Sequence, residues 1–262
     1  MSFDIIKRRT LRYSTGLLKP AKKVCASKPF SVKLTKSETL EIINDPQRLP
    51  AREQFGPDFI IDQGPLGQCN AVAACGSLQR AFFKYGFDCP RLSSNWLYAQ
   101  INGGRDNGSM LDDGMDAIKK GVPVFEPSHN GKYKKNQFPE SLAESLDHKA
   151  FECYGVNSES ELAAGLALGF TAIVAVHCNN DWFKMDRDEI IIRCNGVGNH
   201  AVTVDDVRVI DGELAFDHAG SWGVNIHNKG RAFLTWKRHL SGPNKNHFFY
   251  LVRATKTEKD LK

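Results

Sequence analysis

The 262-residue chain holds seven cysteines but no CxxC pair, so a zinc ribbon is not expected. It has no long apolar run. The apolar stretch Ala163–Val176 covers 14 residues, short of the about 20 that cross a bilayer, and reads as a core segment. Its first residues, MSFDIIKRRTLRYSTG, lack the apolar stretch of a secretory signal, so a cytoplasmic or virion-associated protein is expected. With 22 glycines and 11 prolines it is neither collagen-like nor of low complexity. With 41% hydrophobic and 25% charged residues, wholesale disorder is excluded. The length suits one large domain or two small ones, and its core should need no disulfide or metal staple.

Charge is unevenly spread. Residues 1–36 carry ten Lys/Arg and the single acid Asp4, a charge of +9, whereas the remainder carries 25 basic and 29 acidic residues. A basic extension of residues 1–48 thus precedes a mildly acidic body of residues 49–256. Residues 1–36 could touch nucleic acid or an acidic protein, or form a solvated arm. The odd number and scattered spacing of Cys25, Cys69, Cys75, Cys89, Cys153, Cys178 and Cys194 suit reduced thiols. A zinc site from His177, Cys178, Cys194 and His200 has irregular spacing, and buried structural cysteines are the better reading. No metal and no cofactor are expected.

The first half of the body reads as helical. Cys69–Tyr85, Ser93–Ile101 and Leu111–Lys120 are candidate helices, the last stopped by Gly121, and the extension before the body holds a short helix-like run at Ser37–Asn44. The second half reads mainly as strands: Phe151–Val156, Thr171–Val176, His200–Val204, Val207–Ile210, Glu213–Asp217, Ala232–Trp236 and Phe248–Arg253, with a helix over Ser158–Leu168 capped by Ser158/Glu161. Asp205-Asp206 reads as a turn, and Asp217 and His218 as ordinary polar residues at the surface. The pattern is α+β.

Cys69 follows the loop Gln63-Gly64-Pro65-Leu66-Gly67 and opens a helix, where unpaired N–H groups and the helix dipole favour a thiolate. The Gln63 amide and the Cys69 N–H could form an oxyanion hole. His200, 131 residues downstream and at the start of an alternating run, could accept the thiol proton.

These blocks resemble the papain family of cysteine peptidases. Asp62 to Ala71 is similar to its nucleophile block, Asn199-His200-Ala201-Val202 to its histidine block, and Gly220-Ser221-Trp222-Gly223 to its Asn-Ser-Trp-Gly block. Gly230 to Leu234 resembles the glycine-led strand that follows, and Asp106-Asn107-Gly108-Ser109 stands where the family has its substrate loop. The resemblance implies a two-lobed papain-like fold, with a helical lobe carrying the Cys69 helix packed on an antiparallel β lobe carrying His200. It implies an endopeptidase working through a Cys69 thioester, with His200 as general acid/base and Gln63 as oxyanion donor. Asn107, Gly108, Ser109, Asn199 and Trp222 are implied to border an extended polypeptide substrate, with Trp222 shielding the histidine.

Three departures stand out. Leu66 replaces a disulfide cysteine, Asn70 replaces an aromatic residue, and Gly220 replaces the asparagine that orients the histidine. His218, two residues from the Gly220 position, or a water, could take over that role. The alternatives are a weakened papain-fold structural or binding subunit, and a related Cys/His hydrolase of isopeptide or cell-wall crosslinks. Residues 1–48 could be a short pro-segment in the cleft, a docking arm, or both.

Overall fold

A computed structural model describes residues 15–18, 27–144, 146–194, 196–241 and 249–254. Residues 1–14 and 19–26 of the basic extension, with Lys7, Arg8, Arg9, Arg12, Lys19, Lys22 and Lys23, lie outside the described residues.

The elements in chain order are β1 (Leu17–Leu18), β2 (Lys28–Pro29), α1 (Lys36–Ile43), α2 (Ala51–Gln54), α3 (Cys69–Lys84), α4 (Ser94–Ile101), β3 (Ser109–Met110), α5 (Leu111–Lys120), β4 (Ala150–Val156), α6 (Glu159–Ala167), β5 (Thr171–Val176), β6 (His200–Ile210), β7 (Glu213–Ala219), β8 (Arg231–Thr235) and β9 (Phe249–Ala254). The larger sheet runs β2-β4-β9-β5-β6-β7-β8 and β1 pairs separately with β3. Helices α3, α4 and α5 pack together on one side, and α3 also lies against β5, β6 and β9, giving the expected α+β arrangement of two lobes.

Helix α3 is buried from Cys69 to Phe82, as its Ala- and Leu-rich sequence requires. Each fully buried leucine such as Leu78 or Leu97 contributes about 1.5–3 kcal/mol. Side-chain hydrogen bonds lock the helix to the sheet. Ser77 donates to the Ala172 carbonyl at 2.9 Å, Thr203 to Ala73 at 3.0 Å, and Thr171 to Ser77 at 2.8 Å. A Cβ at Gly76 would come within 2.9 Å of the Thr203 hydroxyl, so the helix can approach β6 this closely only with glycine there.

Several expectations change. Asp205 and Asp206 form no turn. β6 is continuous from His200 to Ile210, and the register shifts at Val204/Asp206. This β-bulge is held by buried charge. Asp205 pairs with Arg80 and Arg231, and Asp206 with Arg48. Asp217 and His218 are not at the surface either, since both are fully buried. Asp217 pairs with Arg52 at 2.7 Å and Arg231 at 3.3 Å.

Residues 27–48 of the basic extension pack into the β lobe. β2 joins the sheet beside β4, and Phe30 lies edge-on to Tyr154 and Phe170. α1, capped by Thr35 and Glu38, rests on α6. Among the described residues no helix is long and apolar enough to cross a membrane.

Candidate active site

The loop before α3 is built from its own polar groups. Gly64, at φ 62°, donates its N–H to Asp62 Oδ1 at 2.9 Å. Gln63 donates its backbone N–H to the Ser221 carbonyl at 2.8 Å, and its Nε2 donates to the Leu66 carbonyl at 2.8 Å. Gln63 Oε1 accepts the Ser221 hydroxyl at 2.5 Å. The bridge between Asp62 and Trp222 closes this edge against the β lobe.

Cys69 is the first residue of α3, and Gln68, at the N-cap, makes no side-chain capping bond. The amides of Ala201, Gly16, Asn70 and Cys69 itself all reach the sulfur and favour its anion, but burial outweighs them and pushes the thiol up to about 11. The expected acidification is therefore reversed, because Cys69 is 0% exposed. Asn70, in the aromatic position, donates to Ser109 Oγ at 3.0 Å and to the Met110 carbonyl. It ties α3 to the loop that ends in β3.

His200 opens β6 opposite Val176, next to the Ala201 amide that reaches Cys69. Its ring stacks on Trp222 with centroids 4.5 Å apart, and Trp182 meets it edge-on at 5.9 Å. Burial pushes its pKa down to about 3, with a smaller push from His227. Nε2 lies 3.4 Å from Ser221 Oγ. Nδ1 has no hydrogen-bond partner among the described residues, Cys69 included. Both groups are thus neutral in this buried state.

His218 turns elsewhere. Its Nδ1 lies 2.7 Å from the Ala232 carbonyl, and its ring packs on Trp182 and His227. It does not hold His200 by a hydrogen bond. Gly220 leaves space, and an added Cβ there would meet only the Gly230 carbonyl oxygen at 3.4 Å.

The loop Asp106–Ser109 is held by a carboxylate. Asp106 Oδ1 accepts the Gly67 N–H at 2.8 Å and the Tyr98 hydroxyl at 2.7 Å, and the Tyr98 oxygen accepts the Gly108 N–H at 3.0 Å. Gly108 has φ 85°, and a Cβ there would collide with the Gly16 backbone. Asn107 is exposed. The Asn199 side chain is clamped to the Cys178 backbone, accepting its N–H at 2.8 Å and donating to its carbonyl at 3.1 Å.

Residues 15–18 lie across these parts. Ser109 donates its N–H to the Gly16 carbonyl at 2.8 Å, and Leu17 donates its own to the Asn199 carbonyl at 3.2 Å. β1 runs parallel to β3, with Leu17 beside Ser109. A strand of this chain is therefore bonded to the loop of one lobe and to the residue before His200 in the other. It lies over Cys69, with Leu17 buried at 6% exposure. Residues 15–18 fall within the extension read above as a possible pro-segment in the cleft, whereas Ser221 and the Asp106 carboxylate were missed as site features in the sequence. Ser221 is hidden inside a motif whose neighbours draw attention, and Asp106 acts only through contacts distant in sequence.

The described cysteines, Cys69, Cys75, Cys89, Cys153, Cys178 and Cys194, are all free thiols. Among the described residues no group of three or more His, Cys, Asp or Glu side chains could hold a metal ion.

No protein-family model matches the sequence, nor does any curated protein. The fold, by contrast, is shared with solved cysteine proteases. Xylellain, a cysteine protease from Xylella fastidiosa, superposes with a TM-score of 0.63 at 19% identity, over 94% of this chain and 98% of that one. The proCathepsin B S9 from Trypanosoma congolense gives 0.63 at 15% identity, over 98% and 99%. The bromelain protease from Ananas comosus, in complex with the E64 inhibitor, gives 0.54 at 21%, over 74% and 92%. The chain has the fold of the papain-like cysteine proteases.

Proposed function

We propose that the chain is a cysteine endopeptidase cleaving extended polypeptides at Cys69. One observation carries the reading: a polypeptide segment, residues 16–17, already lies extended over Cys69 with main-chain bonds to both walls of a groove. Such β-type pairing recognises backbone whatever the side chains, as a peptidase requires.

In the mechanism, His200 Nδ1 takes the Cys69 proton and the thiolate attacks the peptide carbonyl carbon. The oxyanion receives the Gln63 amide and the Cys69 N–H. Collapse transfers the His200 proton to the leaving amine and leaves a thioester. Water, deprotonated by His200, hydrolyses it and restores the thiol. Trp222 and Trp182 hold the imidazole between them and limit its access to water.

Residues 15–18 act as a short pro-segment. The Gly16 carbonyl is committed to the Ser109 N–H and the thiol is kept neutral by burial, so the segment is held without being cut. The surplus positive charge of residues 1–36 suits an acidic partner or nucleic acid, and free thiols suit a reducing compartment such as cytoplasm or a virion interior.

Incubation with a thiol-directed epoxide, followed by mass spectrometry, tests the chemistry. Adduct confined to Cys69 and lost in His200→Ala is expected. Equal labelling of the other thiols would leave a papain-fold scaffold instead.

A further inference from the structure

We propose that Ser221 is the residue that positions His200, fixing its tautomer and linking it to Gln63 through one hydroxyl group. The proposal deepens the peptidase reading and rests on it.

The direction of each hydrogen bond follows from the donors available. The Gln63 amide is oriented by its Nε2, which donates to the Leu66 carbonyl at 2.8 Å. Its Oε1 therefore faces Ser221 as an acceptor, 2.5 Å from the hydroxyl oxygen. A serine hydroxyl has one proton, and this bond uses it. Towards His200 Nε2, at 3.4 Å, Ser221 can only accept. The nitrogen facing Ser221 must then carry hydrogen. Nδ1, unpartnered among the described residues, is left bare, and that is the form needed to take a proton from a thiol.

The site is built for this. Ser221 is 2% exposed, and so is Gln63, so neither hydroxyl nor amide has water as a ready substitute. The Ser221 carbonyl also holds the Gln63 backbone. Gly220, the position of the missing asparagine, has no side chain to reach the ring. His218 is committed to the Ala232 carbonyl, and the Asn199 side chain to Cys178. The 3.4 Å separation is long, and it is expected to shorten when the ring becomes imidazolium and its Nε2–H a charged donor. The same change polarises the hydroxyl and strengthens its bond to Gln63 Oε1. The charge on His200 and the oxyanion donor are thereby coupled.

Two measurements test this. In the unsubstituted full-length chain, ¹⁵N-histidine NMR near neutral pH, assigned with His200→Asn as the blank, should show His200 with hydrogen on Nε2 and none on Nδ1. Hydrogen on Nδ1 overturns the proposal, and this measurement needs no substituted Ser221 and no peptidase activity.

The second compares Ser221→Ala with the double variant Gly220→Asn/Ser221→Ala. In Ser221→Ala, kcat should fall roughly ten- to a hundred-fold, with KM within about two-fold. Removing an acceptor from the imidazolium lowers its pKa, so the high-pH limb of Cys69 alkylation by iodoacetamide should move to lower pH. The double variant supplies an amide at the vacant position. It should restore the alkylation limb but only part of kcat, because Gln63 Oε1 still lacks its donor. An unshifted alkylation limb in a folded Ser221→Ala overturns the proposal. Failure of the epoxide test with the expected tautomer present would remove the peptidase reading and leave the hydrogen-bond relay standing.

Discussion

The extension is attached to the body in two different ways. Residues 15–18 lie on the surface of the groove. Main-chain bonds to Ser109 and Asn199 and the buried Leu17 side chain hold them, and Leu18 is 45% exposed. Residues 27–55 are part of the fold. Phe30 is 6% exposed among aromatic rings, and Ile43 sits in the main core. The Ala51 amide donates to Asp206, and Arg48 and Arg52 neutralise Asp206 and Asp217. The first attachment can be undone while the body stays folded. The second cannot, because releasing it would strand buried carboxylates. A cut that frees the groove therefore belongs before residue 27 and not near Leu49.

The largest effect expected from this contrast is on stability. Phe30→Ala should cost about 3–5 kcal/mol, read as a lower urea midpoint. A cost near zero would place residues 27–48 with the removable segment. Next is Gly16→Val. Any Cβ at Gly16 collides with the Gly67 backbone, so the variant should shed the segment and raise the rate of epoxide labelling at Cys69 at least about ten-fold. The urea midpoint should not change. Unchanged labelling would mean that residues 15–18 do not guard the thiol.

Acid should weaken the body that the extension is fastened to. Burial pushes His200 down to about 3, whereas a solvated histidine titrates near 6.5. Below that value the unfolded chain binds a proton that the folded chain refuses, so stability falls as the pH drops through about 6.5 and is untouched above it. The urea midpoint should be lower at pH 5 than at pH 7, and an equal midpoint would mean that the buried imidazole is solvated in the folded chain. His227 and His239, each lowered to about 4 by burial, sit in the body and should weaken global stability over the same range.

Much of this architecture was legible in local sequence. Cys69–Lys84, Leu111–Lys120 and Thr171–Val176 are set by composition, by the stop at Gly121 and by β-branched runs, so helix and strand positions agree with the structure to within a residue or two. The charged interior was not legible. Arg80, Arg231, Asp205 and Asp217 neutralise one another across sequence separations that no local pattern reveals, and carboxylates without visible partners read as surface or turn. The thiol shows the same limit. A helix N-terminus argues for acidity, but Cys69 lies in the packed core and its desolvation outweighs the helix.

The smallest predicted effect concerns the substrate loop. Where Leu66 rules out the disulfide that the family resemblance implies, Asp106 joins the Gly67 amide to the Tyr98 hydroxyl, which in turn holds the Gly108 amide. This clasp links the loop before Cys69 to the loop that pairs with residues 15–18. Being a hydrogen-bonded link and not a covalent one, it is worth about 1–2 kcal/mol. Asp106→Ala should loosen Gly108 and Ser109 without touching Cys69 or His200. KM for a peptide should rise roughly five- to twenty-fold while the alkylation rate of Cys69 holds. Asp106→Asn keeps an acceptor oxygen and should recover most of the loss. If Asp106→Ala instead lowers kcat at constant KM, the carboxylate bears on the thiol and its loop, and the substrate strand is held by other contacts.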